Sequence, residues 1–162
     1  MSMKRTSTAV AVLLVVAGCG GSEGAADGVP STYLGKQDDD NTAMAGDMLF
    51  LDNTAIVSYP LETSSSAIDG EGLCTNVSIL NNDTDILTFN LLEWKLQDPS
   101  GVSRMVGFFS GSNDLSSGEL APDGRVSGDV CFEGAADPGQ YLVIYDSIGC
   151  FTCGREVWIH QL

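Results

Sequence analysis

Residues 73–80 read Leu-Cys-Thr-Asn-Val-Ser-Ile-Leu, and this stretch decides the fold class. Positions 73, 75, 77 and 79 carry leucine, threonine, valine and isoleucine, whereas the positions between them carry cysteine, asparagine and serine. A two-residue alternation of this kind is typical of a β-strand with one face in a core and the other outside. The stretch therefore predicts a half-buried strand on which Cys74 points away from the core.

The chain beyond residue 47 repeats this pattern in short segments and shows no sustained 3.6-residue period. Candidate strands cover residues 48–51, 55–61, 73–80, 86–96, 103–109, 125–132, 140–145 and 156–161. Turns that combine proline and glycine separate several of them, at residues 98–101, 122–124 and 137–139. Seven or eight short antiparallel strands, each with an apolar face to cover, predict an all-β sandwich of two sheets.

The candidate strand at residues 86–96 changes phase in its middle. Leu87 and Phe89 fall on one parity, but Trp94 and Leu96 fall on the other. We expect either a β-bulge near Leu91 or a strand that passes from one sheet to the other, because both arrangements keep the two halves in the core.

The N-terminus has the features of a bacterial lipoprotein leader. Lys4 and Arg5 precede an apolar run at residues 9–17, about half of the roughly 20 residues that a bilayer-spanning helix needs. Residues 16–19, Val-Ala-Gly-Cys, resemble the lipobox, in which the cysteine thiol is acylated and the chain is cut just before it. An ordinary secretory cleavage site is the alternative.

The sequence thus predicts a signal peptide over residues 1–18 and a lipid on Cys19 that holds the protein at the membrane. We expect the protein on the exported face of the cell membrane: the outer surface, or the outer membrane in a cell with two membranes. We interpret residues 19–46 as the lipidated N-terminus and a flexible acidic tether, and residues 47–162 as the sandwich domain. Within the tether, Tyr33 and Leu34 are the obvious docking points, and the aspartates at 38–40 are interpreted as solvated.

The charge of the chain limits its partners. Seven basic and 22 acidic residues give a formal net charge of −15. Removal of Lys4 and Arg5 with the leader leaves five basic residues against 22 acidic ones, a formal charge of −17. Such a charge makes nucleic acid an unsuitable partner and repels anionic lipid, while cationic ligands remain compatible.

Five cysteines are present, and lipidation of Cys19 leaves an even set of four in an oxidising compartment. Four cysteines allow three pairings, of which Cys74 with Cys131 and Cys150 with Cys153 is the simplest. Cys131 lies on the outward parity of its strand, as Cys74 does. We therefore expect a cross-strand staple between neighbouring strands of one sheet.

Residues 150–153 read Cys-Phe-Thr-Cys, a spacing that also occurs in redox-active pairs. The setting predicts a structural staple, because the pair lies in a glycine-flanked turn between two strands instead of at a helix N-terminus. Redox activity and half of a metal site are the alternatives. The lone histidine, His160, is interpreted as exposed on an edge strand, so we expect no metal site.

Four segments in succession carry a family resemblance: 77–82, which ends in asparagine; 94–101, with Leu-x-Asp-x-x-Gly; the turn segment 118–124; and 128–132, with Gly-x-Val-x-Phe. This order resembles the telokin-like group of secreted immunoglobulin-like domains related to the mycobacterial immunoprotective extracellular protein. The resemblance covers about residues 73–145 and implies an immunoglobulin-like antiparallel β-sandwich. It departs from the family at Asp123, where Pro-Gly is more usual, and it implies no catalytic residue set.

These observations favour a lipid-anchored surface module that binds an unidentified protein or small ligand and is not an enzyme. With one histidine and no Gly-x-Ser-x-Gly elbow, the sequence gives poor support to a serine hydrolase, and we expect no cofactor. An envelope thiol-disulfide protein that uses Cys150 and Cys153 is one alternative. A purely structural envelope component is another.

Overall fold

The computed structural model describes residues 28–66, 70–107, 113–148 and 154–162. These residues form twelve short strands and a single 3-10 turn at Leu91–Glu93. The strands are β1 (Asn41–Met44), β2 (Met48–Leu51), β3 (Thr54–Ser58), β4 (Glu62–Ser66), β5 (Gly70–Asn81), β6 (Leu87–Phe89), β7 (Trp94–Gln97), β8 (Ser103–Met105), β9 (Gly118–Leu120), β10 (Arg125–Glu133), β11 (Gln140–Tyr145) and β12 (Glu156–Gln161).

The described strands form a sandwich. Sheet A has the order β1-β12-β11-β7-β8, sheet B has the order β10-β5-β3-β2 with β4 also paired to β5, and β6 pairs with β9 in a small third sheet. The strand pairs are antiparallel apart from β1 with β12, which is parallel. The all-β immunoglobulin-like sandwich predicted from the sequence is confirmed.

The core lies between sheets A and B, and the parity of the strands positions it. Trp94 and Trp158 of sheet A share one core cluster with buried side chains of the facing strands, namely Ile56 of β3, Val77 and Ile79 of β5 and Val130 of β10. On β5, burial alternates along the strand from Leu73 to Ile79, while Cys74 is only partly buried. The half-buried strand predicted from residues 73–80 is confirmed.

The phase change near Leu91 is a passage between sheets. β6 belongs to the small third sheet, the 3-10 turn follows, and β7 belongs to sheet A. The turn is held by Asn90, whose side chain accepts a hydrogen bond from the Leu92 N–H, and by Glu93, whose carboxylate accepts the Asn90 N–H. This reciprocal capping ends one strand and begins the next without a bulge.

Two of the predicted turns obtain their left-handed residue in different ways. In the β7–β8 hairpin Gly101 has φ of 88°, as a turn glycine is expected to have. In the β9–β10 turn the left-handed residue is Asp123, with φ of 59°, and Gly124 does not take this role. Gly124 is required instead because a Cβ there would lie 2.7 Å from the carbonyl oxygen of Ala121.

The structure differs from the prediction of a flexible tether up to residue 46. β1 begins at Asn41, inside that segment, and pairs with β12. Residues 28–40, which we name the strap, lie over the outer face of sheet A, where Tyr33 packs with Leu142, Ile144 and other apolar side chains. The outer face of β11 and β12 is apolar and needs this cover, so the folded domain begins before residue 47. Within the described part of the chain there is no helix with the length and apolarity to cross a bilayer.

Candidate functional site

The strap is fixed to sheet A by a partly buried ion pair. Arg155, just before β12, donates from Nε and Nη2 to the two carboxylate oxygens of Asp40, both at 2.7 Å. The Asp40 side chain is fully buried, and the Tyr33 hydroxyl donates to the same carboxylate at 2.6 Å. Of the aspartates at 38–40, interpreted as solvated, Asp40 is therefore a structural residue, whereas Asp38 and Asp39 are exposed.

The pKa values agree with this bonding. Burial tends to raise the pKa of Asp40, but hydrogen bonds from Arg155, the Gln37 N–H and Tyr33 outweigh it and hold the pKa below its usual range. Burial and the hydrogen bond to Asp40 raise the pKa of Tyr33 to about 12. The strap is thus held by an ionised carboxylate and a protonated phenol at neutral pH.

One side of the sandwich, where β1 and β2 are the edge strands of their sheets, contains a cleft; we name it the open side. The cleft has a volume of about 530 Å³, within the range usual for ligand sites. Its lining is apolar at Val29, Pro30, Ala43, Met48 and Leu49, and polar at Ser31, Lys36, Asp40, Asn41, Thr42 and Asp47. The strap, β1 and β2 thus build one concave surface.

A buried carboxylate lies directly behind this cleft. Asn41 donates from Nδ2 to Glu156 Oε2 at 2.8 Å, and the same nitrogen lies 3.5 Å from the carbonyl oxygen of Phe50 on β2. Glu156 is only 3% exposed, and burial raises its pKa to about 7, although the bond from Asn41 opposes the shift. Asn41 therefore connects both edge strands to a group that titrates near neutral pH.

The opposite side of the sandwich, where β8 and β10 are the edge strands, is covered; we name it the closed side. Val106 forms a bridge to Phe132, and the Gly107 N–H donates to the Cys131 carbonyl at 2.8 Å. Residues 113–115 lie along β10, with hydrogen bonds between their backbone and both the N–H and the carbonyl of Asp129. The outward backbone groups of Asp129 and the Cys131 carbonyl on this sheet edge are thereby satisfied.

The closed side also carries the disulfide. Cys74 on β5 and Cys131 on β10 are direct cross-strand partners, with a Cα–Cα distance of 4.0 Å and a sulfur–sulfur bond between them. The predicted staple is confirmed, and its position on the outer face of sheet B agrees with the parity of the two strands. Its role is structural, because it joins two neighbouring strands and does not face the cleft.

The other three cysteines to which roles were assigned are not among the residues that the structure describes. Cys19, the predicted lipid attachment site, lies outside the described residues, and so do Cys150 and Cys153. Among the residues that are described, no three His, Cys, Asp or Glu side chains lie together as a metal site would require.

The interpretation of His160 as an exposed edge residue is wrong. His160 is 2% exposed on β12, which lies between β1 and β11 in sheet A. Its Nδ1 accepts the Leu61 N–H at 3.2 Å, its Nε2 is buried with no partner among the described residues, and burial lowers its pKa to about 4. β12 is an inner strand because β1 pairs with the edge of β12 that faces away from β11.

Sequence reasoning missed Asp40, Asn41, Arg155 and Glu156 as a group. Asp40 and Arg155 are 115 residues apart, and so are Asn41 and Glu156, so no local pattern connects them. One signal was available: residues 157–159 read Val-Trp-Ile, which places apolar side chains on both faces of β12. A strand buried on both faces requires a cover, and the strap is that cover.

The solved structures to which this chain is similar share its architecture. Among curated proteins, no significant match to the chain is found. MPT63, a secreted protein of Mycobacterium tuberculosis, has a similar structure, with a TM-score of 0.60 and 12% identity over 75% of this chain and 98% of that one. YjhA of Bacillus subtilis is similar with a TM-score of 0.55 and 14% identity over 74% and 98% of the two chains.

YcdA of Bacillus subtilis, a candidate lipoprotein, is similar with a TM-score of 0.59 and 16% identity over 74% of this chain and 39% of that one. At these identities the likeness concerns the fold, and it agrees with the resemblance of the sequence to secreted immunoglobulin-like proteins. The model of the family described as a domain of unknown function, DUF4352, matches residues 40–152, and the chain belongs to this family.

Proposed function

We propose that the protein is a lipid-anchored binding module of the bacterial cell envelope, without catalytic activity, and that its partner binds on the open side. The observation that carries this proposal is the cleft of about 530 Å³ between the edge strands β1 and β2. The corresponding position on the closed side is filled by the protein's own backbone. A sandwich that covers one pair of edges and leaves a cleft at the other is suited to binding there.

The position of the strap supports a link between anchor and cleft. Residues 29–31 line the cleft, and Gly28 follows Cys19 by nine residues. Nine residues of fully extended chain span at most roughly 30 Å. A lipid on Cys19 would therefore keep the open side close to the membrane surface, within reach of partners in or on the envelope. The folds of a secreted protein and of a candidate lipoprotein are compatible with this location.

The anchor is tested by the cysteine itself. We expect the full chain, expressed in a bacterium with an alkyne fatty acid, to become labelled and to sediment with membranes, and Cys19→Ala to lose both properties. Ser22→Ala, three residues further on, is the matched control and should stay labelled. Equal labelling of Cys19→Ala and the unchanged chain would exclude Cys19 as the lipid site.

The binding surface is tested by two methionines that match in residue type and exposure. Met48 on the open side is 50% exposed and Met105 on the closed side is 55% exposed. A photo-cross-linking amino acid is placed at either position in the anchored protein on intact cells. We expect a specific cross-linked product from position 48 and none from position 105. Cross-linking from position 105 alone, or from neither position, would contradict binding on the open side.

A further inference from the structure

One edge of β1 pairs with β12, and its other edge has backbone groups with which no described strand pairs. The Asn41 N–H donates to the Arg155 carbonyl, and the Ala45 N–H donates to the Ile159 carbonyl. In a parallel ladder alternate residues bond to the same neighbour, so the backbone groups of Thr42 and Met44 point away from β12. The Met44 carbonyl accepts the Asp47 N–H at 3.1 Å, which closes the turn to β2.

The remaining groups of this edge lie at the cleft. Thr42 and its neighbour Ala43 are both lining residues, and among the strands that the structure describes none pairs with β1 on this side. Natural proteins usually block such an edge with a charge, a bulge or a covering segment, as this protein does for β10. The Thr42 N–H and carbonyl and the Met44 N–H are therefore positioned to pair with an added strand.

The charges around the cleft favour a partner of a particular charge. Asp47 is exposed in the lining, Asp38 and Asp39 are exposed in the strap just before Asp40, and Asp40 is already neutralised by Arg155. The one basic side chain in the lining, Lys36, is engaged with the strap, because its Nζ donates to the Ser31 carbonyl at 2.9 Å and lies 5.6 Å from the centre of the Tyr33 ring. The mature chain as a whole is strongly acidic. A basic partner is complementary to this field.

The apolar part of the cleft lining favours a partner that also carries apolar side chains. Ala43 and Leu49 are buried in the floor of the cleft, and Met48 lies in its lining with about half of its surface exposed. An extended segment presents alternate side chains to opposite faces, so one set can contact these apolar groups while the other set faces the aspartates. This arrangement matches a peptide in which basic and apolar residues alternate.

We propose that the free edge of β1 captures an extended basic segment of a partner protein, which adds a sixth strand to sheet A by β-augmentation. This inference rests on the proposed function, since it names the class of partner that the open side binds. Main-chain hydrogen bonds to Thr42 and Met44 supply the pairing. The acidic rim and the apolar floor supply the selectivity.

The test uses the full mature chain and defined peptides in fluorescence anisotropy. The probe is a labelled hexapeptide of alternating lysine and valine with blocked termini, and its counterpart has glutamate in place of lysine. Two further peptides carry N-methyl groups on the valines only or on the lysines only. An added strand donates to β1 from one set of residues, so one of these two peptides should bind about tenfold more weakly than the other.

Matched variants locate the binding. Met48→Lys adds a positive charge at the cleft, and we expect a three- to tenfold loss of affinity for the lysine–valine peptide, at about the level that one nearby charge produces. Met105→Lys adds the same charge on the closed side and should change the affinity by less than about twofold. Because both methionines are half exposed, neither variant should impair folding.

Three results would overturn the inference: equal binding of the two N-methylated peptides, preference for the glutamate peptide, or equal effects of Met48→Lys and Met105→Lys. Absence of any peptide binding, together with continued photo-cross-linking from position 48, would reject β-augmentation by a basic segment and leave the proposed function standing. Absence of both would reject the two together.

Discussion

The two sides of the sandwich treat their sheet edges in opposite ways. On the closed side, residues 113–115 and the bridge from Val106 to Phe132 cover β10, and the disulfide joins β10 to β5. On the open side, β1, β2 and the strap line a cleft, and the partly buried ion pair of Asp40 and Arg155 holds the strap in place. The closed side carries a disulfide and a backbone cover, whereas the open side carries titratable groups and a strand edge with which no described strand pairs.

This difference teaches how one small domain can keep the features that stabilise it apart from the surface proposed for binding. An open sheet edge invites pairing with other chains, and natural proteins usually block such an edge. Here the covalent bond and the backbone cover are concentrated away from the cleft. Changes on the closed side should therefore alter stability and leave binding intact, while changes on the open side should alter the strap, the cleft and their pH dependence.

The largest effect is expected from removal of the staple on the closed side. The double variant Cys74→Ser/Cys131→Ser releases a loop of 57 residues, and the chain-entropy model gives a loss of about 4 kcal/mol in the free energy of unfolding. Urea denaturation without reductant measures it. Photo-cross-linking from position 48 should persist wherever the variant is folded. A denaturation midpoint equal to that of the unchanged protein would show that the disulfide adds nothing to stability.

The second effect concerns the strap. Arg155→Gln leaves the buried Asp40 carboxylate without its charged partner and should lower the free energy of unfolding by about 3 kcal/mol. Lys95→Gln is the matched control, because Lys95 pairs with Asp146 at the surface and its loss should cost less than about 1 kcal/mol. Similar losses in both variants, measured by thermal and urea denaturation, would contradict the structural role of the strap.

The ion pair of the strap also predicts the direction in which the stability of the protein changes with pH. The pKa of Asp40 in the folded protein lies below that of the unfolded chain, so its contribution is present above about pH 4 and is lost as the pH falls through the folded value. This acid-side loss should be smaller in Arg155→Gln. Unfolding curves between pH 2 and pH 6 compare the two proteins, and parallel profiles would speak against the proposed pairing energy.

The third prediction concerns residues 113–115, which cover β10 on the closed side. In Gly128→Ala the new Cβ would lie 2.7 Å from the backbone nitrogen and Cα of Leu115, so residues 113–115 must shift. We expect a loss of about 2 kcal/mol and faster amide exchange at Leu115 and Asp129. Gly118→Ala is the control, since its Cβ would meet only ring atoms of Phe89, at 3.3 Å. Unchanged exchange in Gly128→Ala would mean that the cover does not depend on this close approach.

The smallest effect is a gain of stability on the open side. The pKa of Glu156 is about 7 in the folded protein and higher than in the unfolded chain, so ionisation opposes folding as the pH rises above about 4.5. Glu156→Gln should therefore be more stable than the unchanged protein by about 1–2 kcal/mol at pH 8 and equal to it near pH 4.5. Thermal denaturation at the two pH values measures this difference. A constant difference would exclude titration of Glu156 as its cause.

The parts of the fold that the sequence could predict are those with local patterns. β2, β11 and β12 have the predicted bounds, and the parity of β5 and β10 correctly placed the predicted disulfide between Cys74 and Cys131 on the outer face of one sheet. These features depend on alternation within a few residues and on turn residues next to them. They do not require knowledge of distant partners.

The strap and the cleft could not be predicted in this way. An aspartate-rich segment has the composition of a solvated linker, and Asp40 becomes a structural residue because Arg155 lies beside it at the start of the neighbouring strand β12. His160 was misjudged for the same reason, since its exposure depends on whether another strand pairs with β12. Composition describes what a segment does alone, whereas burial depends on which distant segment covers it.

The disulfide and the strap together determine how the protein would carry mechanical load. If a partner strand on β1 were pulled away from the membrane while a lipid on Cys19 held the chain, the tension would pass directly from β1 into the strap. Sheet B and the 57-residue loop closed by Cys74 and Cys131 lie outside that path. The bound complex could therefore bear force through a short stretch of backbone, with the core of the sandwich left unloaded.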